Sequence, residues 1–123
     1  MKHRQDIDIQ DAELAVLQVL WEAGEPLPLA SLLETLHTRR GWADSTVKTL
    51  LRRLQEKEAV TLQKRGVYAA VIAREDYRGV ANHSFLEKLY QGSAKSLVAS
   101  LVQEGKLTQE DIAELTALFR KEG

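Results

Sequence analysis

A mainly α-helical fold with one small β-hairpin is predicted for this chain of 123 residues. Three features carry the prediction. Apolar residues recur at three- and four-residue spacing in six separate segments, the rhythm of amphipathic helices. One interval, residues 60–72, breaks that rhythm with two β-prone runs around a polar loop containing glycine. Glycine and proline stand at the joins between segments, where chain reversals need them.

The first helix is expected over Ile9 to Ala23. Leu14, Leu17 and Trp21 form its apolar stripe, widened by Val16 and Leu20. Gln10 is a poor N-cap, while Asp11 and Glu13 suit the positive end of a helix dipole. Gly24-Glu25-Pro26-Leu27-Pro28 then stops the helix, with Gly24 as its C-terminal glycine. Leu29, Leu32, Leu33 and Leu36 define a second helix, broken by Gly41. Asp44 or Ser45 can cap a third, whose apolar members are Val47, Leu50, Leu51 and Leu54. At about 100° per residue, Ser45, Thr49, Arg52 and Glu56 fall on its opposite side, with Lys48 and Arg53 on the flanks.

Val60-Thr61-Leu62 and Val67 to Ile72 read as the two arms of a hairpin, with Gln63-Lys64-Arg65-Gly66 as a basic tip. Three helical patterns follow. Residues 75–90 place Tyr77, Ala81, Phe85 and Leu89 at four-residue intervals, ended by Gln91-Gly92-Ser93. Leu97, Val98, Leu101 and Val102 make a shorter helix closed by Gly105. Thr108 to Asp111 has capping-box spacing, and Ile112, Leu115, Leu118 and Phe119 supply the last stripe. The division predicted is 1–73 for the three helices and hairpin, and 74–123 for the helical tail.

The net charge of −1 conceals an asymmetry. Residues 1–38 hold two Lys/Arg against seven Asp/Glu, whereas residues 39–65 hold eight against three. A basic stretch within a neutral chain is a candidate polyanion footprint, and a solvated charged face is the plainer alternative. Other classes of function are excluded more directly. Without cysteine there are no disulfides, thiol nucleophiles or thiolate metal sites, a composition suited to a reducing cytoplasm. No apolar run is long enough to span a bilayer, and the opening residues turn acidic at Asp6 where a signal peptide turns apolar. His3, His37 and His83 lack partners at metal-ligand spacing. No phosphate loop or nucleophile elbow is present, and an Asp44/Ser45/His37 triad has nothing to order it. The expectation is a cytoplasmic non-enzyme with no cofactor, no metal and no direct membrane association.

Three helices followed by a hairpin is the layout of a winged helix-turn-helix, in which the third helix enters the major groove. That helix offers an apolar anchor and an outward face of hydroxyls and cations, groups that reach phosphates and base edges. Lys64 and Arg65 at the hairpin tip would meet the neighbouring backbone. Double-stranded DNA is therefore the expected partner. A winged helix used for protein contacts, without DNA, is the rival reading. A regulator whose tail senses a ligand, lined by Phe85, Tyr90, Leu97 and Leu101, is a third.

Two runs carry a resemblance to a known family. They are Asp11-Ala12-Glu13-Leu14-Ala15-Val16-Leu17 leading to Leu20-Trp21, and Gly41-Trp42-Ala43-Asp44-Ser45-Thr46-Val47-Lys48-Thr49-Leu50-Leu51-Arg52-Arg53-Leu54. With Arg74 to Tyr77 and Phe85 to Gly92, they resemble the penicillinase repressors, winged-helix regulators of bacteria. The resemblance implies a dimeric repressor on a dyad operator, with Ser45, Thr46, Lys48, Thr49 and Arg53 on DNA; Arg52 is added from the helical face alone. It also implies a C-terminal helical part that makes the homodimer, and a switch in which a membrane sensor peptidase triggers cleavage within that part. By register with Ser96-Leu97-Val98, the scissile bond would be Ser100-Leu101, where the family carries Asn-Phe. Burial between two copies would then cover Phe85, Leu89, Leu97, Leu101, Leu115 and Phe119. The sequence departs from the family's pattern at Gln10, at the wing residues Tyr68-Ala69-Ala70, and in lacking the cysteine-rich metal motif of the copper-responsive branch.

Overall fold

The structure is a computed structural model that describes residues 8–122; His3 and Asp6 lie outside the described residues. Its elements run α1 (Asp11–Ala23), β1 (Leu27–Pro28), α2 (Leu29–Arg40), α3 (Asp44–Glu56), β2 (Val60–Gln63), a single 3-10 turn (Lys64–Gly66), β3 (Val67–Ala70), α4 (Arg74–Tyr90), α5 (Ala94–Gln103) and α6 (Gln109–Glu122). Two compact units divide after Val80, inside α4.

The first unit is built on one core. Val16, Leu17 and Leu20 of α1 pack with Leu32 and Leu36 of α2 and with Val47, Leu50, Leu51 and Leu54 of α3. Ala59, Val60 and Ile72 close it from the sheet side. Such a core exists because each helix brings its stripe at the 3.6-residue period, so three stripes meet along one axis. α1 is buried more widely than its stripe predicts, since Ala15 and Val19 are buried too, and Leu14 and Trp21 are only half-buried. Ile9 is not helical but is buried just before the N-cap, and Leu14 packs on the same cluster, the arrangement of a hydrophobic staple.

The helix ends show how local chemistry sets the boundaries. Gly24 and Gly41 take left-handed φ values of 71° and 69°, and their amides donate to Leu20 and His37 carbonyls. Gln10 is the N-cap of α1 as residue order requires. What secures that end is Glu13, whose carboxylate accepts the Gln10 amide at 2.9 Å. Neither Asp44 nor Ser45 caps α3. Its N-cap is Ala43, without a side-chain cap, and its carbonyl accepts the Thr46 and Val47 amides. The start therefore falls one residue earlier than a polar cap would place it, because Trp42 packs against the core just upstream.

The hairpin is present with one addition. β2 and β3 pair antiparallel with Leu62 opposite Tyr68 and Gln63 opposite Val67. Leu27 and Pro28, expected only to stop α1, form a short third strand on the far side of β3, giving the order β1-β3-β2. Pro28 is tolerated there because β1 is an edge strand and needs no outward donor. Trp21 fastens the end of the sheet: its indole N–H donates to the Ile72 carbonyl at 2.9 Å.

The second unit holds the remainder of α4 with α5 and α6. Ser93 caps α5 by accepting the Ser96 amide, and Thr108 and Asp111 close the capping box expected for α6, each at 3.0 Å. Phe85 and Tyr90 rings lie 5.8 Å apart. No described side chain from Arg74 to Lys121 is fully buried.

Candidate nucleic-acid interface

α3 is the most sharply two-sided of the helices in the described residues. Val47, Leu50, Leu51 and Leu54 are buried, and on the other side Ser45, Thr46, Lys48, Arg52 and Arg53 are exposed, with Thr49 half-buried between. The hydroxyls of Ser45, Thr46 and Thr49 make no intramolecular hydrogen bond among the described residues. An alanine cap leaves the two leading hydroxyls unused by the helix, so both are available outward.

At the wing, Lys64 and Arg65 are exposed in the turn between β2 and β3. Arg65 has φ 68° and Gly66 φ 71°, so two consecutive left-handed residues reverse the chain there. The tip therefore presents its cations on a tight turn rather than on a long loop.

Three of the eight cations counted in the basic stretch are engaged elsewhere. Arg39 pairs with Glu22 at 2.7 Å, and the Arg40 guanidinium lies 5.6 Å from the Trp42 ring centre. Lys57, at the C-cap of α3, turns inward to Glu13, which is 1% exposed, and to the Asp8 carbonyl. The remaining five, Lys48, Arg52, Arg53, Lys64 and Arg65, form no ion pair among the described residues. A cation without an intramolecular partner keeps its full charge for a phosphate, which is the requirement of a nucleic-acid face. The inward turn of Lys57 had a signal in the sequence. Glu13 precedes Val16 and Leu17 by three and four residues, so it sits on the apolar face of α1, where a carboxylate demands a cation.

His37 reaches the Trp42 carbonyl with its Nδ1 at 3.4 Å, across the exposed turn between α2 and α3, and is not near a Ser45-based triad by any hydrogen bond among the described residues. The six tail residues assigned to dimer burial fall in two classes. Leu97 and Leu101 are half-buried within the second unit, while Phe85, Leu89, Leu115 and Phe119 are exposed, Phe119 to 79%. Ser100 and Leu101 lie inside α5, where Ser100 Oγ accepts from the Tyr90 hydroxyl and donates to Glu104.

Three helices, a three-stranded wing and a recognition helix faced with free hydroxyls and cations define a winged-helix DNA-binding domain. The penicillinase repressor family profile matches residues 9–121. The chain belongs to that family. It is 34% identical over 116 residues to the penicillinase repressor of Bacillus licheniformis, covering 92% of this chain and 90% of that protein. It is 26% identical over 117 residues to the methicillin resistance regulatory protein MecI of Mammaliicoccus sciuri, covering 93% and 94%. Among solved structures it is similar to the DNA-binding domain of the repressor BlaI, at 32% identity and a TM-score of 0.53, over 63% of this chain and 94% of that one. The monomeric form of Bacillus licheniformis BlaI in complex with the blaP half-operator is likewise similar, at 32% identity and a TM-score of 0.50, over 57% and 88%. The family is one of transcriptional repressors, not of enzymes.

Proposed function

We propose that this chain is a transcriptional repressor that binds a dyad DNA operator as a homodimer, in the cytoplasm. One observation carries the DNA contact: the outward face of α3 holds Ser45, Thr46, Lys48, Thr49, Arg52 and Arg53 with their polar groups unspent within the described chain. The half-operator bound by a relative of 32% identity supports the same reading. In this reading α3 lies in the major groove, hydroxyls and cations read base edges and phosphates, and Lys64 and Arg65 grip the adjacent backbone.

Exposed apolar side chains support the assembly. Phe85, Leu89, Val98, Val102, Ile112, Leu115, Leu118 and Phe119 are all at least 40% exposed, and all belong to the second unit. A second copy covers them, and a two-fold axis sets two α3 helices on half-sites about one helical turn apart, or a multiple of it. Derepression then acts through this tail, with Ser100-Leu101 as the scissile bond for a protease under the control of a membrane sensor.

The test is fluorescence anisotropy against an operator-like duplex and a scrambled one at several salt concentrations. The expected result is tighter binding to one duplex, with log K falling against log salt by about 0.9 per phosphate neutralised. Equal affinity for both, or no dependence on salt, refutes the repressor reading and leaves a protein-contact module.

A further inference from the structure

Glu13 is the buried charged residue of the core, at 1% exposure. Its Oε1 contacts Lys57 Nζ and also accepts the Gln10 amide, while Lys57 Nζ donates in addition to the Asp8 carbonyl. One ion pair thus joins the N-terminus of α1 to the C-terminus of α3. We propose that the Glu13–Lys57 pair is a positioning device that sets the angle of the recognition helix, and with it the discrimination between DNA sequences. This role rests on the DNA-binding reading given above.

Stability alone does not explain such a pair. Taking two charges out of water offsets most of their mutual attraction, so an apolar pair of similar volume holds a fold about as well. What an apolar pair lacks is direction. The stripe of Val47, Leu50, Leu51 and Leu54 attracts α3 to the core without fixing its tilt, because burial is non-directional. The ion pair, with its two backbone hydrogen bonds, admits one arrangement. Lever arm makes this matter: at 1.5 Å rise per residue, Ser45 lies roughly 18 Å along the axis from Lys57. A tilt of about 5° moves the Ser45 hydroxyl by roughly 1.5 Å, more than a hydrogen bond to a base edge tolerates. Non-specific attraction to phosphates is far less sensitive to such a shift, since it depends on charge and not on register.

The discriminating variant is the double substitution Glu13→Leu with Lys57→Met, which removes one charge of each sign and leaves the net charge unchanged. The probes are a duplex selected by the wild-type chain from a random-sequence pool and a scrambled duplex of the same composition. The expected result is a thermal midpoint no lower than wild type, unchanged affinity for the scrambled duplex, and about tenfold weaker binding to the selected one. Should that variant fail to fold, Glu13→Met with Lys57→Leu puts a second apolar pair in the same space, and the same loss is expected. A folded double variant that discriminates as well as wild type overturns the positioning role. A wild-type chain that selects no duplex overturns the DNA reading itself, and this role with it.

Discussion

In the proposed contact with DNA, Thr49 and Lys64 separate the two jobs of a reading surface. Thr49 is half-buried at the centre of the outward face of α3, close to where base edges would pass, while Lys64 stands exposed at the wing tip. Thr49→Ala should therefore change base preference with little effect on the salt slope. Lys64→Ala should reduce the slope by about one phosphate and weaken all duplexes alike, both read by anisotropy titration. Tyr77 supplies a pH test. Its pKa is raised above 10.0, first by burial and then by the carboxylates of Asp8, Asp11 and Glu13. The fold thus favours the neutral phenol, and this contribution is complete below the unfolded pKa and lost as pH climbs through the folded one. Tyr77→Phe should flatten the alkaline fall of the thermal midpoint relative to wild type. At this scale the outward residues of α3 were legible because periodicity alone assigns faces. The inward turn of Lys57 escapes a charge count along the chain, which is blind to which cations have partners; its signal lies in Glu13 on the apolar face of α1.

α3 ends in a way that offers a stability test. The Ala59 amide bonds the Leu54 carbonyl at 2.9 Å and the Glu58 amide bonds the Gln55 carbonyl at 3.0 Å, the pattern of a Schellman motif. Its left-handed position is held by Glu58 at φ 61°, where glycine carries no steric penalty. Glu58→Gly should stabilise the protein by roughly 0.5–1 kcal/mol after the entropy lost by glycine is counted. Thermal denaturation would show this as a rise of about 3–6 °C. The six helices and the hairpin were readable from period and punctuation. β1 was not, for two residues containing a proline have no periodicity; only the pairing of Leu27 with Tyr68 reveals them as a strand. α5 bears on the proposed switch. A peptide bond in the middle of a helix is not accessible to a protease until that helix opens locally. Mass spectrometry of repressor from induced cells should show a fragment ending at Ser100, and an intact chain released from DNA would refute cleavage.

Ile72 and Tyr77 decide where the molecule can be cut without damage. Ile72 is 2% exposed and its carbonyl holds Trp21, and Tyr77 packs on the same core, so both are part of the first unit's packing. The first compact unit runs to Val80, and the packing of Tyr77 on its core is a contact that no local signal in the sequence announces. A chain ending at Val80 should stay folded and monomeric, with weak and mostly non-specific DNA affinity, while the full chain should give twice the single-chain mass by light scattering at micromolar concentration. A full-length mass of one chain contradicts the dimer. The tail, none of whose described side chains is fully buried, bears on control as well. If its order is supplied by a second copy, its folding is a bimolecular event and follows protein concentration by mass action. Where monomer predominates, halving the amount of repressor in a cell quarters the amount of paired species, so operators empty faster than the protein disappears. A cell then needs only a modest drop in dosage, whether by growth, turnover or proteolysis, to pass abruptly from silence to expression.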